Sequence, residues 1–269
     1  MEISFYKYQG TGNDFILLDD RSEQFPASKE LVQKLCDRRF GIGADGLILI
    51  QNHPQHDYRM VYFNSDGSQS LCGNGSRCGF AFARFLKMVD QKAIFETTDG
   101  VHQVKLEGGI IRFQLSDVEM PSKISDREYF LNTGSPHHIV ICDEVETIDV
   151  LSEGSAIRNS SAYTGQNGTN VNFAQLLPDR VKMRTYERGV EGETLSCGTG
   201  ATAVGLLAGA QGMESPVNIE TLGGNLKVYF QKKTEIYTQV WLAGPAEMVF
   251  KGTLNIATLR TKQTNFKGY

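Results

Sequence analysis

Short runs of alternating polar and apolar residues dominate the chain. The first half holds Phe15–Leu18, Gly46–Ile50, Tyr58–Phe63, Val101–Leu106 and Ile110–Leu115. His138–Ile141, Val171–Ala174, Val181–Tyr186, Leu226–Phe230 and Thr238–Leu242 follow. Each has the length of a strand, and several alternate with period two, as half-buried antiparallel strands do. The 28 glycines supply turns. Helical periodicity is rarer. Ser28 reads as the cap of a helix over 29–39, with Leu31, Val32 and Leu35 on one face. Two apolar stretches each follow a Cys-Gly-x-Gly turn, at Cys72 and at Cys197. Both predict buried helices: the second is apolar nearly all round, the first largely so. A buried helix in a chain of short strands predicts a sheet wrapped around it.

The elements recur. Gly12-Asn13-Asp14-Phe15-Ile16-Leu17-Leu18-Asp19 echoes the stretch from Gly134 to Asp143. The strand ending Val61-Tyr62-Phe63 leads through a turn to Cys72-Gly73-Asn74-Gly75. Arg184-Thr185-Tyr186 leads likewise to Cys197-Gly198-Thr199-Gly200, at nearly the same offset. A duplicated domain follows, with a boundary near Ser116 to Ile124, where Pro121 and polar residues interrupt the strands. The 269 residues suit two domains.

Composition narrows the class. Hydrophobic residues at 40% and charged residues at 22% are ordinary for a soluble globular protein. The net charge of −4 argues against a nucleic-acid partner, which needs a basic face. No segment has the pattern of a signal peptide or the length of a membrane span, so no membrane partner and a cytoplasmic location are expected. Five cysteines, an odd count, do not read as a disulfide framework, and none is spaced as a zinc ligand set.

Reduced thiols remain, and most free cysteines are simply small buried hydrophobes. Two of them have a better reading. A cysteine opening a helix meets unpaired N–H groups and the positive end of the helix dipole, which favour a thiolate. The glycines let a substrate carboxylate approach the same N–H groups. Two such thiols suit inversion of a stereocentre: one takes a proton from one face, the other delivers one to the opposite face. The carbanion beside a carboxylate would be stabilised by the helix ends. No cofactor and no metal are expected.

Several segments together resemble diaminopimelate epimerases. They are Gly10-Thr11-Gly12-Asn13-Asp14-Phe15, the stretch from Asp37 to Gly46, Phe63-Asn64-Ser65-Asp66-Gly67-Ser68, Cys72-Gly73-Asn74-Gly75-Ser76-Arg77-Cys78, Tyr186-Glu187-Arg188-Gly189 and the stretch from Gly192 to Gly200. The resemblance implies an α+β fold of two pseudo-symmetric domains, each a mixed sheet rolled around a central helix. It implies domains of 1–116, joined by a returning strand in about 249–269, and 117–248. The implied activity is cofactor-independent interconversion of LL- and meso-2,6-diaminopimelate, in lysine and peptidoglycan-precursor synthesis. Its partner is this small molecule, and a homodimer is allowed for.

Residue roles follow from the same resemblance. Cys72 and Cys197 are the implied base and acid. Gly73, Asn74, Gly198 and Thr199 are the implied cradle for the reacting carboxylate. Asn13, Asn64, Asn170, Glu187 and Arg188 are the implied substrate contacts, and His137 with Glu187 the pair that tunes the thiols. Gly46 stands where many of these enzymes have glutamine, so a side-chain contact is lost there. Ser135 replaces an asparagine and is expected to reach substrate only through water. Residues 257–269 lie beyond the resemblance and read as a solvated end.

Three rival readings remain. A proline racemase or hydroxyproline epimerase would not need a polar distal pocket, which Asn64, Asn170 and Arg188 provide. The phenazine-synthesis branch of the same superfamily lacks the cysteine pair. A thiol redox protein would have to cycle through a disulfide.

Overall fold

A computed structural model describes residues 2–256, so the tail 257–269 lies outside the described residues. By contact the chain falls into two compact units. Unit 1 holds residues 2–10, 14–103 and 246–256; unit 2 holds Thr11–Asn13 and Val104–Pro245. The passage between them falls inside a strand after Gln103, earlier than the expected boundary near Ser116. The reason is pairing: Val104–Glu107 is hydrogen-bonded to Ile110–Phe113, which in turn pairs with Trp241–Gly244.

In chain order the elements begin with β1 (Glu2–Gly10), β2 (Asn13–Asp19), α1 (Lys29–Cys36), β3 (Gly46–Gln51), β4 (Tyr58–Asn64), α2 (Gly73–Phe85) and β5 (Lys92–Thr97). β6 (Gly100–Glu107) leads to β7 (Ile110–Gln114), β8 (Val118–Glu119), β9 (Ser122–Lys123), β10 (Glu128–Asn132) and β11 (Pro136–Ile141). Then come α3 (Val150–Arg158), β12 (Asn170–Leu176), β13 (Val181–Glu187), β14 (Gly192–Thr194) and α4 (Gly198–Ala210). β15 (Val217–Thr221), β16 (Gly224–Lys232), β17 (Ile236–Gly244) and β18 (Glu247–Asn255) complete the chain.

The two units repeat one pattern of pairing. In unit 1, β2 runs parallel to β3, β3 antiparallel to β4, and β4 parallel to β5. In unit 2, β11 runs parallel to β12, β12 antiparallel to β13, and β13 parallel to β15. Each parallel pair needs a crossover: α1 and α3 lie in those of β2–β3 and β11–β12, and α2 and α4 in those of β4–β5 and β13–β15. The duplication read from the sequence is therefore a repeat of topology: mixed sheets, few helices, an α+β fold.

Helix α1 is shorter than the sequence pattern predicts. Ser28 Oγ accepts the N–H of Leu31 at 3.2 Å, as a cap should. The helix stops at Cys36 because the Asp37 carboxylate accepts the N–H groups of Arg39 and Phe40, both at 2.7 Å. Leu31, Val32 and Leu35 pack with Ile16, Leu18, Leu47 and Leu49.

Helices α2 and α4 are the buried ones. Phe80 and Phe82 of α2 are fully enclosed, and the Phe82 ring meets Tyr6 at a tilt and Tyr8 edge to face, both on β1. Helix α4 contacts β11, β12, β13, β15, β16 and β17, so the sheet of unit 2 wraps it. Its glycines allow this. A Cβ on Gly205 would stand 2.7 Å from the Val228 side chain, and one on Gly209 would stand 2.4 Å from the Phe230 ring. Bare backbone lets β16 press against the helix at both turns.

β18 closes unit 1. It pairs antiparallel with β1, from Glu2 opposite Asn255 to Gln9 opposite Glu247, with an irregularity at Lys7/Tyr8.

Candidate active site

Cys72 is the N-cap of α2. It has extended backbone angles, and its Sγ accepts the N–H of Gly75 at 3.3 Å. The first turn is buried: Gly73, Asn74 and Gly75 are all enclosed. Behind them lies Arg77, a residue the sequence pattern does not single out. It is completely buried, and its guanidinium donates to Asn74 Oδ1 at 2.9 Å and to the Gly73 carbonyl at 3.3 Å. Burial pulls its pKa down to about 10, while negative charge on Cys78 and Cys72 pulls the other way. A buried cation therefore stands within electrostatic reach of the Cys72 sulfur. Cys78, one turn further on, is an inert counterpart: burial pushes its thiol up to about 12.

Cys197 is the N-cap of α4 in the same backbone conformation. It is buried, and its Sγ lies 3.6 Å from the Thr199 hydroxyl. Thr133 Oγ1 donates to the Thr199 carbonyl at 2.9 Å and Thr202 Oγ1 to the Gly198 carbonyl at 3.0 Å. Upstream, Thr11 donates to Ser196 Oγ at 2.9 Å. Gly12 has φ +82°, and a Cβ there would stand 2.8 Å from Leu195. So the glycine-flanked Thr11–Asn13 segment, including Asn13, is docked beside the approach to Cys197.

His137 is fully buried on β11. Its Nδ1 is 3.1 Å from Asn172 Nδ2, and its Nε2 has no hydrogen-bond partner among the described residues. Burial, with a smaller effect from the Arg188 charge, pushes its pKa down to about 3, so the ring is neutral. Asn172 and Thr185, like Arg77, are not singled out by the sequence pattern.

The remaining sequence-predicted residues are held by contacts within their own units. In unit 1, Asn64 Nδ2 bonds Ser68 Oγ at 3.0 Å and Ser70 Oγ at 3.1 Å, closing the turn after β4. In unit 2, Asn170 Nδ2 donates to Ser135 Oγ at 2.9 Å and to the Pro136 carbonyl at 3.1 Å, and its Oδ1 accepts the Arg188 N–H at 2.9 Å. Asn170 is thus a brace between the 134–136 turn and Arg188, and Ser135 is held by it directly. Glu187 Oε2 accepts from Thr194 Oγ1 at 2.8 Å. The half-buried Arg188 guanidinium makes no hydrogen bond or ion pair among the described residues. At Gly46 there is no room for a side chain: a Cβ would stand 2.4 Å from the Tyr62 ring. Tyr62, another residue the pattern missed, fills that space.

Elsewhere in unit 2 a hollow of about 560 Å³ lies between Pro178–Asp179 and Gln211–Asn218, at the opposite end of α4 from Cys197. It gathers no reactive cluster. Among the described residues no three His, Cys, Asp or Glu side chains form a metal-ligand group, and no helix is long and apolar enough to cross a membrane.

Comparison with known proteins adds an independent line. A curated diaminopimelate epimerase from Flavobacterium psychrophilum is 51% identical, over 94% of this chain and all of that protein. One from Aquifex aeolicus is 41% identical, over 94% of this chain and 98% of that protein. Among solved structures, a Bacillus anthracis phenazine biosynthesis protein of the PhzF family superposes with a TM-score of 0.74 at 14% identity, covering 95% of this chain and 99% of that one. That likeness concerns the fold. The sequence profile of diaminopimelate epimerase matches residues 5–121 and 129–249, and with relatives this similar the chain belongs to the diaminopimelate epimerase family.

Proposed function

We propose that this chain, an isomerase by family, interconverts LL- and meso-2,6-diaminopimelate by proton transfer between two thiols. The observation that carries the proposal is positional: each unit has a cysteine capping a buried helix, at the same point of a repeated strand pattern. A thiolate takes the α-proton from one face. The electron pair left behind spreads into the adjacent carboxylate. The opposite thiol gives its proton to the other face, and thiol and thiolate have exchanged roles. Cys72 and Cys197 are the pair, and either is the base, depending on direction.

First-turn N–H groups have no acceptor within their own helix, so those of Gly73 and Asn74, and of Gly198 and Thr199, suit the carboxylate oxygens. Charge growing there in the transition state is what such oriented donors stabilise. The uncommitted Arg188 guanidinium supports a substrate with a second carboxylate, which it would pair with charge assistance. Diaminopimelate has one; proline does not. Asn13, Asn64, Asn170 and Glu187 would frame the distal amino-acid end, and His137 with Glu187 would tune the chemistry.

Purified protein, with no cofactor added, is expected to exchange the α-hydrogen of diaminopimelate with solvent deuterium, followed by NMR or mass spectrometry. Exchange on proline or hydroxyproline instead would overturn the substrate, and exchange on none of the three would overturn the reaction.

A further inference from the structure

We propose that Asn172, steadied by Thr185, locks His137 in the neutral tautomer with its proton on Nε2. His137 then offers the site a fixed hydrogen-bond donor and is not a base. The second statement rests on the epimerase reading; the first rests on the geometry of unit 2 alone.

Three fully or nearly fully buried side chains form a line. Thr185 Oγ1 donates to Asn172 Oδ1 at 3.0 Å, and Asn172 Nδ2 faces both His137 Nδ1, at 3.1 Å, and the His138 carbonyl, at 3.3 Å. An amide can be turned end for end, but here the carbonyl decides. It only accepts, so the NH₂ end must face it. The same NH₂ then faces His137 Nδ1, which must present a lone pair. In a neutral imidazole the single proton is therefore on Nε2.

The arrangement also opposes the charged ring. An imidazolium carries hydrogens on both nitrogens and would set Nδ1–H against the Asn172 NH₂. Burial disfavours the cation too, and Arg188, the charged group that acts on the ring, adds to the effect. His137 thus stays neutral wherever the protein is folded at ordinary pH.

What remains is an N–H with nothing to bond. Among the described residues His137 Nε2 is buried and unpartnered, an arrangement that is costly unless a ligand supplies an acceptor. The scaffold does not require it. Register pairs His137 with Asn170, and Asn172 with Thr185; in unit 1 Phe15 pairs with Gly46, and Ile48 with Tyr62. Phe15, Ile48 and Tyr62 thus occupy the equivalent places, so the fold is satisfied by packing there. The network also abuts the reactive turn. A Cβ on Gly200 would stand 2.4 Å from Asn172 Oδ1 and 3.3 Å from Cys197 Sγ. The acceptor that suits a neutral, oriented N–H in that position is an anionic oxygen, such as one on which charge grows during proton abstraction.

The test is long-range ¹H–¹⁵N NMR of the histidine rings in the whole protein, with the His137 signals assigned by their loss in His137→Gln. Nε2 is expected to be protonated and Nδ1 bare across about pH 5 to 9, the range in which an ordinary histidine titrates. A proton on Nδ1, or titration near that ordinary value, would overturn the proposal. Asn172→Asp offers Nδ1 only acceptors, so the proton should move to Nδ1, the ring should titrate at higher pH, and kcat should fall about 100-fold with a smaller change in KM. A fall in kcat with the tautomer unchanged would deny Asn172 its positioning role. Should Asn172→Asp fail to fold, the spectrum of the unaltered protein still decides, and it does so whether or not diaminopimelate is the substrate.

Discussion

The two strand–helix repeats hold a cysteine at the same position against different backings. In unit 1 the glycine three residues after the cysteine, Gly75, faces Ile48 and Phe15, and Phe15 meets Tyr62 edge to face with ring centroids 5.9 Å apart. In unit 2 the corresponding Gly200 faces the amide of Asn172, which links His137 to Thr185. The helices differ in the opposite sense. α2 contains buried Arg77, whereas Gly198–Ala210 of α4 contains no charged residue. One thiol therefore has apolar packing behind its turn and a cation within its helix. The other has a neutral hydrogen-bonded network behind its turn and an uncharged helix. A thiol at the N-terminus of a buried helix is common to both; the groups around it are not.

The sharpest break of this comparison is removal of each sulfur. Cys72→Ala and Cys197→Ala should each lower kcat/KM for epimerisation by at least about 1,000-fold. Retained activity in either variant would leave the two helices unequal in chemistry as well as in setting. Arg77→Met comes next. It strips the donor from the Gly73 carbonyl and from Asn74 Oδ1, so denaturant unfolding should show a loss of about 1–3 kcal/mol. Alkylation of Cys72 should also need a higher pH, while that of Cys197 does not move. Equal shifts at both thiols would show that the Arg77 charge is not a local device.

The glycines give a smaller contrast. Gly200→Ala must displace the Asn172 amide and should destabilise by about 2 kcal/mol. Gly75→Ala meets Cys72 Cβ and Ile48 only at 3.3 Å, and the better helix propensity of alanine offsets that crowding. It should lie within about 1 kcal/mol of the parent protein in the same measurement.

A further contrast concerns acid. Unit 1 ties its first strands with charge: Asp14 accepts from Lys7 at 2.7 Å and from Arg38 at 2.6 Å, Arg38 also reaches Asp45 at 2.7 Å, and Lys7 donates to the Gly43 carbonyl. Burial alone would raise the Asp14 pKa, but hydrogen bonds and charge from Arg38 and Lys7 prevail and lower it from 3.8 to about 2. A depressed carboxylate stabilises the fold above its unfolded pKa. That stability is lost as pH falls from about 4 through about 2. Acid titration of stability should show this slope, and Asp14→Asn should flatten it.

Much of this was legible because the informative signals are local. Cys-Gly-x-Gly before an apolar run marks both helix starts, and strands such as β3 and β13 show themselves by runs or alternation. The segments that escaped have physical reasons. β18 exposes most of its side chains, so it has no alternation to read, and only the family resemblance points to a strand there. α3 carries Ser152, Gly154 and Ser155, poor helix formers, and leaves Leu151 exposed. At the site, Asn172 and Thr185 look like ordinary polar members of strands. Only the burial of both faces of β12 reveals that Asn172 must have partners, because a polar group enclosed there is costly without them. Arg77 was hidden in the same way: nothing in Gly-Ser-Arg-Cys says that the cation points inward.

The pairing of β1 with β18 has a consequence for how the protein is made. β1 leaves the ribosome long before β18, its hydrogen-bonded neighbour, with Glu2 set against Asn255. At ~5–20 residues per second, synthesis of the intervening chain takes on the order of tens of seconds. During that time β1 has an open edge, while every residue of unit 2 has been made by Pro245. Ile3 and Phe5 alternate with Glu2 and Ser4 along that waiting edge, the pattern of a segment that associates with other strands when left unpaired. Completion of unit 1 thus waits for β18, and until then the nascent chain is most in need of chaperone cover at β1.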